Sequence, residues 1–178
     1  NVRPTGHHPR KRTYAPKLDI HAAISDEGAR YLERTYGLDP ASVVVARLGC
    51  DVDGSRTSPT SPGELHVLST SFVTPVKRVD KIFEALELAA SELDSTQVRW
   101  THLGAGPDFE DLKSRVARST ARNLTVDLLG QVAHEEVLSF LRSRSIDLFV
   151  NFSRSEGVPV SIMEAMSVGI PAIAPAVG

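Results

Sequence analysis

One cysteine stands in 178 residues, Cys50, so the chain closes no disulfide of its own and a reducing compartment is expected. No apolar run approaches the roughly 18 residues that span a bilayer, and the first residues show no secretory leader pattern. A cytoplasmic location follows as the expectation. Neither charge sign dominates: the net charge of −2 supplies no basic field for nucleic acid or anionic lipid. The basic run HHPRKR at 7–12 is short and reads as a solvated surface segment rather than a binding arm. No His, Cys, Asp or Glu set recurs at zinc-ligand spacing, so no metal is predicted. No G-x-G-x-x-G opens the first crossover, which argues against a dinucleotide-dependent dehydrogenase.

What is present is a regular alternation of strand and helix signals. LHVLSTSF (65–72), VRWTHLG (98–104), LTVDLLG (124–130), DLFVNFS (147–153) and PAIAPAV (171–177) read as five short apolar strands. Between them, apolar residues recur at helical spacing: Val79, Ile82, Phe83, Leu86 and Ala90; then Phe109, Leu112 and Val116; then Val137, Leu138 and Leu141. A fourth helix is expected after Pro159. Single helices between successive strands predict an α/β fold, a doubly wound parallel sheet with helices on both faces. Before it, DIHAAIS (19–25), a helix capped at Ser25 or Asp26 and ending at Gly37, and VVVARLG (43–49) read as one more such unit. DGSRTSPTSPG (53–63) is the best linker candidate. Residues 1–52 are thus expected to be the tail of one α/β domain, and 64–178 most of a second. The chain begins at Asn1 rather than Met and stops at Gly178 without a closing helix, as a piece of something longer would.

Ligands of an open parallel sheet sit beyond the C-terminal ends of its strands. Three stretches fall on that rim. Lys77 and Arg78 precede the first helix, where a cation is mildly disfavoured by the helix dipole and a phosphate would explain it. Gly104-Ala105-Gly106-Pro107 is either a plain tight turn or a place where backbone approaches a ligand. SEGVPVSIMEAM (155–166) puts Glu156 in a loop and Glu164 about one turn into a helix, with the helix start between them. Backbone N–H groups at such a start meet anions, and carboxylates accept hydrogen bonds from hydroxyls. The arrangement suits a molecule with hydroxyls at each end and phosphates in the middle.

Glu156 and Glu164, with Gly157 and Pro159 between them and Ala165 after, resemble the E-x7-E signature of retaining nucleotide-sugar glycosyltransferases of the GT-B fold, the group 1 branch. The stretch from Asp147 to Gly178 is similar to that family throughout, and Lys77, Gly104, Gly106 and the run LLGQV (128–132) fall in the family's order. The resemblance implies a donor site. Lys77 would bind the diphosphate with help from Arg78, and Gly104 and Gly106 would line the rim. Glu156 would hold the transferred sugar, and Glu164 the ribose. Backbone at Gly157, Val158, Pro159 and Val160 would meet sugar and distal phosphate, and Gly130, Gln131 and Val132 would edge the base. Glu156 and Lys77 would carry the chemistry. Where many relatives carry an arginine five positions before the lysine, this chain has Phe72.

The implied activity is retaining transfer of a sugar from a nucleotide sugar, UDP- or GDP-linked, to a growing polysaccharide, lipid-linked glycan or glycoconjugate, without metal or organic cofactor. The acceptor would bind mainly the other domain. Contact with the inner membrane face would also come through the missing part, and the 178 residues alone would bind donor weakly at best, without multiple turnover. The competing readings are a phosphorylase-like sugar-phosphate enzyme of the same fold and a non-catalytic nucleotide-binding or interaction module. A glycosidase is excluded, since its two carboxyls must flank one bond across a cleft.

Overall fold

The computed structural model describes residues 13–177, and the basic run at 7–12 lies outside them. The chain divides into two compact units between Gly49 and Cys50.

In the first unit β1 (His21–Ala23) and β2 (Val43–Val45) pair in parallel through α1 (Asp26–Tyr36). The Ser25 hydroxyl accepts from the Gly28 N–H at 3.0 Å and starts α1, and Gly37 ends it in the left-handed conformation. The strands are shorter than their apolar runs.

In the second unit five strands lie in one parallel sheet: β3 (Glu64–Thr70), β4 (Gln97–Leu103), β5 (Leu124–Gly130), β6 (Leu148–Val150) and β7 (Ala172–Ile173). Their spatial order is β5-β4-β3-β6-β7. The crossovers are α2 (Val79–Glu92), α3 (Phe109–Val116), α4 (His134–Ser143) and α5 (Val160–Ser167). Period-two alternation sends neighbouring strand residues to opposite faces. Val67, Val98 and Trp100 pack with Val79, Ile82, Phe83 and Leu112 of α2 and α3. Leu68, Leu103 and Phe149 pack with Val137, Leu141 and Ala165 of α4 and α5. This is the doubly wound sheet that the alternation predicts. Among the described residues no helix is long and apolar enough to cross a membrane.

The two last strands are shorter than the runs that announce them, 147–153 and 171–177. Past Val150 the Asn151 side chain accepts from the Ser153 N–H at 2.8 Å and turns the chain away from the sheet. Past Ile173 the proline at 175 removes a ladder donor. Residues 53–60 are tied to the second unit: Thr57 N–H donates to Val168 O at 2.9 Å, Arg56 Nη1 to Ser167 O at 2.8 Å, and Thr60 to the Asp147 carboxylate.

A buried polar chain runs under the site. Trp100 Nε1–H donates to Ser69 Oγ at 2.9 Å, and Ser69 Oγ lies 2.8 Å from His102 Nδ1. Burial holds His102 down at a pKa of about 4, so it is neutral at physiological pH. Above it the loops after β3 and β4 press together. A Cβ on Gly104 would sit 2.0 Å from Ser71 O, and one on Gly106 2.4 Å from Val73 O. Gly104 also has φ of +142°, a region closed to other residues. Replacing Gly104 by alanine is therefore expected to cost about 3 kcal/mol or more. The same change at Gly54, which has φ +82° but open space around it, should cost only about 1 kcal/mol. Denaturant unfolding of both variants checks the contrast.

Candidate functional site

The sheet order reverses between β3 and β6, so the chain leaves these neighbours in opposite directions and opens a crevice at their C-terminal ends. The sequence-predicted residues gather on this rim. After β3 the chain turns at Thr74, whose carbonyl accepts from the Lys77 and Arg78 N–H groups at 3.0 and 3.1 Å. Lys77 Nζ then reaches across the crevice and donates to Glu156 Oε1 at 2.6 Å. Asn151 Nδ2, at the end of β6, donates to the same oxygen at 3.0 Å. The Ser153 hydroxyl lies close enough to steady the charge without a geometrically sound hydrogen bond. Burial alone would raise the Glu156 pKa, but Lys77, then Ser153 and Asn151, outweigh it and hold the carboxyl below its usual 4.5.

Arg78 reaches to the loop after β6. It adopts the left-handed conformation at φ 50°, and Nε donates to Phe152 O at 2.8 Å and Nη2 to Ser153 O at 3.3 Å. Its guanidinium also stacks 5.1 Å from the Phe152 ring centroid. The side chain ties the two loops together. Arg154 N–H donates to Val76 O at 2.8 Å and adds a second tie.

Helix α5 begins at Val160 after Pro159. The Val160 N–H is engaged with Val158 O at 3.0 Å. Those of Gly157, Val158 and Ser161 have no hydrogen-bond partner among the described residues, which leaves them for an anion. Glu164, one turn in, is buried, and its Oε1 lies 2.7 Å from Nε2 of His134, the first residue of α4. The hydrogen bond to Glu164, then its charge and that of Glu135, raise the His134 pKa above 6.5. A folded-state pKa above the unfolded one gives stability that is fully present below pH 6.5 and lost as pH rises through the folded value.

Gly104 and Gly106 shape the rim through backbone packing. Gly104 N–H donates to Gly130 O at 2.7 Å, and Val73 exchanges backbone bonds with Ala105 and Asp108. Beside them lies a mostly apolar cavity of about 190 Å³ lined by Thr70, Phe72, Gly104, Gln131, Val132 and Val137. Phe72 is 63% exposed at its edge. The structure thus joins Lys77 with Glu156, Gly104 with Gly130, and Gln131 and Val132 with Phe72.

Asn151 and His134 were missed in the sequence. A polar residue ending an apolar strand on the functional rim could have marked Asn151. His134 gains a proton-favouring partner at a helix N-terminus, where cations are disfavoured, and only the fold shows why.

The sequence pattern of the family described as Glycosyl transferases group 1 matches residues 64–178. The chain is 27% identical over 161 residues to the putative colanic acid biosynthesis glycosyltransferase WcaL of Salmonella typhimurium, covering 87% of this chain and 39% of that protein. It is 28% identical over 173 residues to the D-inositol 3-phosphate glycosyltransferase of Rhodococcus erythropolis, covering 90% and 39%. The chain therefore spans well under half the length of these curated relatives. Among solved structures, a TarM variant of S. aureus with Fondaparinux, alpha-GlcNAc-glycerol and UDP superposes with a TM-score of 0.78 at 19% identity, covering 99% of this chain and 34% of that one. Anabaena HepE in complex with UDP-glucose gives 0.72 at 21% identity, covering 93% and 47%. At these identities the likeness is one of fold.

The depressed Glu156 pKa has a measurable consequence. Its stabilisation is present above pH 4.5 and lost as pH falls through the folded pKa. Carboxyl NMR titration should place Glu156 below 4.5, and Lys77→Ala should move it upward. The stability gap between the two proteins should close as the pH is lowered through that range.

Proposed function

Because the chain belongs to the glycosyl transferases group 1 family, we propose that it supplies the nucleotide-sugar side of a retaining glycosyltransferase whose acceptor is a glycan or a lipid-linked glycan. The observation that carries this is the Lys77–Glu156 pair across the β3/β6 crevice, beside N–H groups of the α5 start that have no partner among the described residues. Lys77 has three N–H donors, so it keeps Glu156 and still offers a hydrogen to a phosphate oxygen. The Gly157, Val158 and Ser161 N–H groups take the distal phosphate and sugar, and Glu156 Oε2 accepts from a sugar hydroxyl. Glu164 takes the ribose diol. The base enters the cavity edged by Gln131 and Val132, where Phe72 presents its ring in place of an arginine.

In this reading the bond from the anomeric carbon to the departing phosphate oxygen breaks, and the acceptor oxygen bonds to that carbon from the same face. The acceptor proton passes to the leaving diphosphate. Lys77 and the helix start stabilise the negative charge that develops there, so no metal or organic cofactor is invoked. UDP in the TarM structure and UDP-glucose in the HepE structure support a uridine donor.

Calorimetric titration of UDP-, GDP- and ADP-sugars into the full-length protein should show binding of one nucleotide class. Glu164→Ala should weaken it by about 1–3 kcal/mol, roughly 5- to 150-fold, by removing the acceptor of the ribose hydroxyls. Glu156→Ala should abolish most turnover, and product NMR should show the donor's anomeric configuration. Inversion would overturn the retaining assignment. Binding without turnover on any acceptor would favour the nucleotide-binding module.

A further inference from the structure

Glu164 enters the proposed donor site already engaged. Its carboxylate is buried, yet the hydrogen bond to it among the described residues comes from His134, which is itself exposed on another helix. An ionised carboxylate only accepts, so Nε2 carries the proton and Nδ1 faces away from the bond. The contact joins the first turn of α4 to the second turn of α5. Those two helices belong to one apolar cluster, with Val137 and Leu141 packed with Ala165 and Val168. Their relative placement is therefore set by the core, and the His134–Glu164 distance with it.

The division of labour within the carboxylate follows. Oε1 receives His134, while Oε2 has no hydrogen-bond partner among the described residues. A three-torsion side chain with a free carboxylate would sample several orientations. One held at Oε1 offers Oε2 in a set direction and keeps the second lone pair of Oε1 available as well. A vicinal diol needs two such acceptors side by side. We propose that His134 is a positioning residue for nucleotide binding, anchoring Glu164 so that its carboxylate receives the two ribose hydroxyls. This rests on the assignment of Glu164 to the ribose.

The charged groups facing His134 are Glu164 from α5 and Glu135 on its own helix, while Glu136 is occupied by the Ala133 N–H at 3.2 Å. A protonated imidazolium grips the carboxylate more firmly than the neutral ring, which still donates through Nε2. The hold on Glu164 therefore loosens as pH rises, without being lost.

The test titrates UDP (GDP where the donor screen selects guanosine) and its 2′-deoxy counterpart into full-length wild type, H134A, H134Q and E164A between pH 6 and 8.5. Thermal melts run in parallel as a check of folding. H134A should bind the ribonucleotide roughly tenfold more weakly, as expected for one lost charge-assisted contact, and should lose most of the preference over the deoxy form. H134Q keeps an N–H at the reach of Nε2 and should recover much of both. Wild-type affinity should decline as pH rises through the His134 pKa, whereas that of H134A should not. A merely structural bond would lower the melting temperature and leave the ribose preference intact, which would overturn the proposal. So would tighter binding by H134A, since His134 would then be competing with the ribose. If E164A keeps the wild-type preference, the ribose assignment itself falls. If E164A loses it and H134A does not, only the role of His134 falls.

Discussion

Where β3 and β6 lie side by side the chain departs in opposite directions, and the Lys77–Glu156 ion pair spans the crevice that this opens. Each partner comes from a different loop, and neither loop has regular structure to hold it. The pair works because other bonds lock the loops first. Arg78 grips the carbonyls of Phe152 and Ser153, Arg154 reaches Val76, and Asn151 steadies Glu156 from the strand end. Remove the reversal of strand order and the two loops, whose paired residues lie 74 or more positions apart in sequence, would not meet.

Such a pair is costly by itself, since two partly buried charges give up water for one contact. In the function proposed above, that desolvation is useful: a lysine with three donors in a partly dry crevice would hold its carboxylate and keep capacity for a phosphate, with nothing to reorganise when the charge arrives. The strain at Arg78, φ 50° in a residue with a Cβ, is sustained by two carbonyl contacts and a stacked ring. Strain and ion pair lie next to each other in the chain, at the start of the helix that follows β3.

The loops above the sheet follow a second constraint, the closeness of backbones. Gly104 and Gly106 read in the sequence as either a tight turn or a ligand approach. In the fold they let the β4 loop press on Ser71 and Val73, and through those residues they set the height of the rim on which Phe72 stands. Arg78 read as a phosphate partner beside Lys77, yet it faces the neighbouring loop. Adjacent residues leaving a helix start point to different sides, and the backbone conformation that decides the side is not written in residue type. His134 and Asn151 went unread for the same reason: their partners lie 30 and 5 positions away and are reached only through packing.

The sequence by itself determined the class of fold, because period-two apolar runs separated by period-3.6 stripes have few ways to bury both faces, and a parallel sheet with helices on either side is the one that short connections allow. It pointed, too, to the rim on which the candidate residues gather, since glycines, prolines and charged residues collect where strands give way to helices. The tertiary structure decided which of those residues meet. Lys77 found Glu156, Glu164 found His134, and Arg78 turned to backbone carbonyls, because contacts between loops depend on strand order, loop height and helix placement, which are properties of the packed whole and of no local stretch.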